Sequence, residues 1–140
     1  MNVADRLTAM TFARLTVVVL LLVSLAGCAS QPDPTVTACD AFAKLNNHWA
    51  HVERDTHMSP ADRLDFRHGY RGMMHAIALK ASGDVKTRLT ALVSAMPADA
   101  TDLLLNTGNA AFAAYVSNAG RVADACKAAG TPITLYYVLR

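Results

Sequence analysis

Five histidines fall between residues 48 and 75 and form the chain's only local concentration of potential metal ligands. Imidazoles three or four residues apart on a helix can clamp zinc or copper, and Met58, Met73 and Met74 would suit Cu(I). His48, His51 and Asp55 share a predicted helix face with Lys44, turned away from Phe42 and Trp49, and are the candidate ligands. His68 and His75 stand seven residues apart on the next helix, opposite its apolar stripe. Against a metal centre, no HExxH or Cys–His pattern occurs, and Met73 is assigned to the core. Solvent-facing histidines are also common on amphipathic helices, so the reading expects no metal site. Catalytic constellations are equally missing: there is no G-x-S-x-G and no phosphate-cradling glycine loop. Glu53 is the only glutamate, and Asp40 and Asp62 read as charges at helix N-termini. No catalytic residue is assigned, and the chain is not expected to be an enzyme.

Composition narrows the partners. Removing Asp5, Arg6 and Arg14 leaves eleven Lys/Arg against ten Asp/Glu, so residues 28–140 are close to neutral. A body of that charge has no electrostatic footprint for nucleic acid. With 140 residues, 53% hydrophobic and 17% charged, the chain supports one domain and excludes a disordered one.

The elements that must position these residues are helical. The first segment, from about Thr35 to Asp55, aligns Cys39, Phe42, Trp49 and Val52, with Asn46 between them. Ser59-Pro60-Ala61-Asp62 reads as a helix start, with Ser as cap, Pro in the first position and Asp in the first turn. This second helix runs to about Ser82 and groups Phe66, Tyr70, Met73 and Ile77. Gly69 and Gly72 inside it read as sites of close helix packing, or alternatively as a flexible point on a binding face. Gly83 ends it, and Asp84 is placed as the cap of a third helix with the stripe Val85, Leu89, Leu92, Met96. Pro97 stops that helix. A short helical turn over residues 99–105 and a loop over 106–109 follow, and Asn109 caps a last helix bearing Phe112, Tyr115, Val116, Ala119, Val122 and Cys126. Gly130-Thr131-Pro132 is its stop. The expected fold is all-α: a small antiparallel bundle of about four helices over residues 35–130, with an extended tail over 131–140.

The N-terminus carries the most specific signal. Leu15 to Gly27 is a thirteen-residue apolar stretch behind Arg6 and Arg14, whereas a spanning helix needs about 20 residues. It reads as an export signal. It ends in Leu25-Ala26-Gly27-Cys28, which resembles the lipobox of bacterial lipoproteins. That resemblance implies cleavage before Cys28, with residues 1–27 removed, and a diacylglyceryl lipid on Cys28 as the only attached group, no cofactor being expected. The alternative is a conventional signal peptide in which Cys28 is incidental. Two acyl chains give stable attachment to the outer face of the cell membrane. The tether over residues 28–34 contains Pro32 and Pro34; at roughly 3 Å per residue its six residues beyond Cys28 reach about 20 Å.

With Cys28 committed to lipid, Cys39 and Cys126 remain, and an exported domain usually pairs such residues. In an up-down bundle with an even number of helices the start of the first and the end of the last share a pole, which agrees with the pairing. Two buried free thiols are the alternative. Closing that loop would stabilise by about 4–5 kcal/mol on the chain-entropy account.

The layout is similar to that of small, Ala-rich, all-helical lipoproteins of high-GC actinobacteria and their temperate phages: lipobox Cys28, a short Pro-containing tether, Ala38-Cys39-Asp40-Ala41-Phe42, and Val122-Ala123-Asp124-Ala125-Cys126. The resemblance implies a lipid-anchored protein-binding module with an envelope or phage protein as partner, and superinfection exclusion as one such role. The runner-up is an envelope metal- or small-ligand-binding lipoprotein using the His-bearing faces, and a third class is an envelope-maintenance protein with no soluble ligand. For the tail, three arrangements are open. It folds back as a strap completing the core; or Tyr136, Tyr137 and Arg140 contact the membrane or a membrane partner, since the tail begins at the pole nearest the lipid; or it is freely disordered.

Overall fold

The computed structural model describes residues 32–104 and 110–137. Leu25, Ala26, Gly27, Cys28, Asn109 and Arg140 lie outside the described residues. Five helices are present among those described: α1 (Pro34–Val52), α2 (Pro60–Lys80), α3 (Gly83–Ala95), α4 (Thr101–Leu104) and α5 (Ala110–Ala128). None of the described helices is long and apolar enough to cross a membrane.

Local chemistry explains the helix ends. Asp33 caps α1, its Oδ1 accepting the Thr35 N–H at 2.7 Å, and Pro34 fits the first turn. α1 stops three residues before Asp55. There the Asp55 carboxylate instead accepts the His57 N–H at 2.8 Å, a turn that competes with continued helix. Ser59 caps α2 as expected: its Oγ accepts the Asp62 N–H at 3.1 Å and donates to Asp62 Oδ2 at 2.7 Å. Gly130 (φ +82°) closes α5, with Thr131 N–H bonded to Cys126 O at 2.9 Å and Gly130 N–H to Lys127 O at 3.0 Å, a Schellman ending.

The α2–α3 junction corrects one expectation. Asp84 is not the cap of α3 but lies inside its first turn, where it pairs with Arg88. Ser82 holds the cap position with no capping bond of its own, and its Oγ meets Thr35 Oγ1 at 2.7 Å. Gly83 (φ +57°) makes the reversal after a link of only Ala81 and Ser82.

The four long helices, α1, α2, α3 and α5, run alternately up and down. Thr35 at the start of α1 meets Ser82 beyond the end of α2, and Glu53 after α1 pairs with Arg67 in the first half of α2. Cys39, near the start of α1, is disulfide-bonded to Cys126 near the end of α5, with a Cα–Cα distance of 5.8 Å. The core these helices enclose contains Phe42, Trp49, Tyr70, Met74, Leu89, Leu92 and Tyr115, and α4 adds Leu103 and Leu104.

A second correction concerns α2. Its buried residues are Tyr70, Met74 and Ala78, whereas Met73 is 37% exposed. Tyr70, bonded through its hydroxyl to Tyr115, and Arg67, bonded to Glu53, set the rotation of the helix. That rotation carries Met73 past the edge of the core, leaving Phe66 and Ile77 half-buried.

The tail forms the strap. Ile133, Leu135 and Tyr137 alternate onto the core while Thr134 and Tyr136 face outward. Asn47 reads the strap's backbone as a neighbouring strand would: its Nδ2 donates to Thr134 O at 2.9 Å and its Oδ1 accepts the Tyr136 N–H at 2.8 Å. Asn46 Nδ2 donates to Tyr136 O at 2.8 Å, and Arg54 reaches Tyr137 O at 3.4 Å. The strap therefore starts beside the disulfide and runs toward the opposite pole. The tail thus begins at the pole where α1 starts, as expected, while Tyr136 and Tyr137 stand at the far end of α1, Tyr137 half-buried and Tyr136 exposed.

Candidate functional site

The structure disperses the histidines. His48 sets its ring edge-on to Phe66 at 5.1 Å, closing the side of the α1–α2 contact. His51 is exposed beside Asn47, Arg54 and Tyr136. Asp55 is engaged with the His57 N–H, the main cause holding its carboxyl below the usual carboxylate range. His68 Nε2 lies 3.0 Å from Asp99, whose pKa is lowered first by the Thr101 backbone N–H and further by His68. Among the described residues no three His, Cys, Asp or Glu side chains come together as a metal site requires.

Beneath the strap lies a polar spine. Tyr115 O–H donates to Asn46 Oδ1 at 2.6 Å, so the 2.7 Å contact between the two tyrosines must have Tyr70 as donor. Burial pushes both phenols up, Tyr70 well above the ordinary tyrosine range. Trp49 packs against both rings at 4.8 and 5.3 Å. Every member of this hydrogen-bonded chain is buried, so its role is to hold α1, α2, α5 and the strap in register.

A groove lies away from the strap, between α2 and α3. Arg71, His75, Ala78 and Leu79 of α2 face Lys86, Thr90, Val93 and Ser94 of α3 across a groove of about 610 Å³. Both sets have the spacing i, i+4, i+7, i+8, which puts each in a single row along its helix. The two-residue link holds the rows side by side. Leu79 is 63% exposed, the most open large apolar side chain among those described. Three cationic or titratable nitrogen groups line the groove and no carboxylate does.

Arg71 Nε donates to Val93 O at 3.3 Å, anchoring the guanidinium to the last turn of α3. Thr90 and Ser94 donate their hydroxyl protons to Lys86 O and Thr90 O, at 2.8 and 2.9 Å. Among the described residues the ion pairs are Arg67–Glu53, His68–Asp99 and Arg88–Asp84, and neither Arg71 nor Lys86 enters one. The only glutamate is spent on Arg67, whose charged form it favours chiefly through their hydrogen bond. The groove can therefore take an anionic group on Arg71, Lys86 and His75, with apolar contact on Leu79.

Sequence reasoning noticed His75 but not this site. A signal existed: neither Arg71 nor Lys86 has an acidic residue three or four positions away. The matched spacing on two consecutive helices was the other. Comparison of the chain with protein-family models, with curated proteins and with solved structures finds no match.

Proposed function

We propose that the chain is a lipid-anchored envelope lipoprotein that acts as a protein-binding module, gripping an acidic, partly apolar segment of its partner in the α2–α3 groove. The observation that carries this reading is the set of unpaired cations, Arg71 and Lys86, beside exposed Leu79. Charges left without a partner next to an open apolar side chain match the anatomy of a site completed from outside. The lipobox supports the anchoring, and the overall layout supports superinfection exclusion as the biological form of the binding.

A photoreactive residue at Thr90, introduced in cells carrying the full chain, tests the groove. It should give a discrete adduct that disappears in Arg71→Glu/Lys86→Glu, with no equivalent adduct from exposed Lys127 on α5. An adduct indifferent to that charge reversal would remove the groove from the binding role. The exclusion role is tested separately, by comparing phage plating on hosts that express the wild-type chain or the double variant.

A further inference from the structure

α2 is the longest described helix, with 21 residues, yet it buries only Tyr70, Met74 and Ala78, against seven residues in α1 and six in α5. Asp65, Gly69, Gly72, Met73, Ala76 and Lys80, all exposed, share its outer face, where Met73 is the large apolar side chain, 37% exposed. We propose that this outer face pairs with the same face of a second copy of the chain, the two α2 helices running antiparallel about a two-fold axis between Gly72 and Met73.

The charges set the register. Asp65 and Lys80 stand near opposite ends of the face, both exposed, and neither enters a described ion pair. In an antiparallel pair, residues whose numbers sum to a constant face each other, and a sum of 145 sets Asp65 against Lys80 of the second copy, twice by symmetry. The same register sets Gly69 against Ala76 and Gly72 against Met73, small opposite small and a long side chain over a glycine. Among the described residues nothing packs closely enough on these glycines to require them. A Cβ at Gly72 would meet nothing within 4 Å, and one at Gly69 only the Met73 Cε at 3.8 Å, so internal packing does not require them. This displaces the expectation that they serve close packing inside the bundle. Glycine is among the poorest residues for a helix interior, and here its benefit is close approach by another helix.

Zero-length carbodiimide coupling of the full-length chain in detergent tests the pairing. Within one helix Asp65 and Lys80 are about 22 Å apart, so an isopeptide between them must join two copies. Mass spectrometry should find that link in a species of dimer mass. Asp65→Lys and Lys80→Asp should each raise the dimer dissociation constant about tenfold or more, because each sets like charges in apposition. The two variants mixed together should form a heterodimer, since every pair is again of opposite charge. Gly72→Leu should be monomeric by sedimentation while keeping its fold, because nothing in the chain occupies that space. A chain of monomer mass with no 65–80 link overturns the proposal. So does a dimer whose stability neither charge reversal changes.

Discussion

Raising the pH above the ordinary tyrosine range should unfold this protein through two particular groups. Tyr70 and Tyr115 are buried, share one hydrogen-bonded chain with Asn46, and have pKa values pushed up chiefly by burial. In the unfolded chain a phenol ionises near pH 10, whereas the folded protein keeps both protons. The unfolded state therefore binds fewer protons above that pH, and the stability conferred by the neutral phenols, fully present below pH 10, declines as pH rises. Each group contributes a slope of about −1.4 kcal/mol per pH unit, so the pair gives about −2.7. Integrated to pH 11.5, the loss is about 4 kcal/mol, a large share of the roughly 5–15 kcal/mol that holds a domain of this size together. Half-buried Tyr137, its pKa also raised by burial, adds in the same direction. Urea midpoints followed by circular dichroism between pH 8 and pH 11.5 measure the slope. Tyr70→Phe should remove about half of the contribution from the pair. If Tyr70→Phe/Tyr115→Phe leaves the alkaline slope unchanged, or if tyrosinate absorbance shows both phenols ionising near pH 10 in the folded protein, the spine is not what the structure makes it.

Reduction of Cys39–Cys126, which closes a separation of 87 residues, should cost about 4–5 kcal/mol on the chain-entropy account and lower the Tm by well over 10 °C; calorimetry with and without reductant decides it, and a shift of a few degrees would refute that account. Asn47→Ala removes both strap bonds and should cost about 1–3 kcal/mol in urea unfolding, and deleting residues 133–140 should cost clearly more, because Ile133, Leu135 and Tyr137 leave the core with it. Amide exchange should be faster along α2 than along α1 or α5, and equal protection would count against the division of the bundle described below. Cys28→Ser should block cleavage of the precursor; an intact Met1 or an unmodified Cys28 in the native protein, seen by mass spectrometry, would remove the lipoprotein reading.

What was legible in the sequence was what depends on near neighbours or on counting. The Ser59-Pro60-Ala61-Asp62 start needs only residues three apart, and the structure shows its hydrogen bonds. The Cys39–Cys126 pairing followed from a count of thiols and the number of helices. The choice of Met73 over Met74 failed because an apolar beat fixes a helix face only when the stripe is broad. The core side of α2 is narrow, and its rotation is set by polar contacts with Glu53 and Tyr115, 14 and 45 residues away. Asn46 and Asn47 carried no local signal, since their partners in the strap lie 87–90 residues further on. The tail's alternation at Ile133, Leu135 and Tyr137 was visible as strand propensity. Its partner was not, because the ladder it would need is supplied by two side-chain amides on a helix and by Arg54 just beyond it.

The distribution of these fastenings explains where a binding surface is free to exist. The disulfide, the Schellman ending of α5, both asparagines and the strap all act on α1 and α5. The α2–α3 hairpin is held to them by the apolar stripe, Tyr70, and Arg67 on Glu53. Each strong fastening takes up polar groups that could otherwise meet a partner: Asn47 Nδ2 and Oδ1 both bond the strap, and Asn46 is buried beneath it. On the hairpin side Arg71 and Lys86 enter no ion pair among the described residues, and Leu79 keeps its exposure. Had the strap crossed α2 and α3 instead, its backbone carbonyls would have consumed those donors and covered Leu79. The proposed recognition groove thus stands apart from the strap and the disulfide, because neither Arg71 nor Lys86 is spent on an ion pair among the described residues.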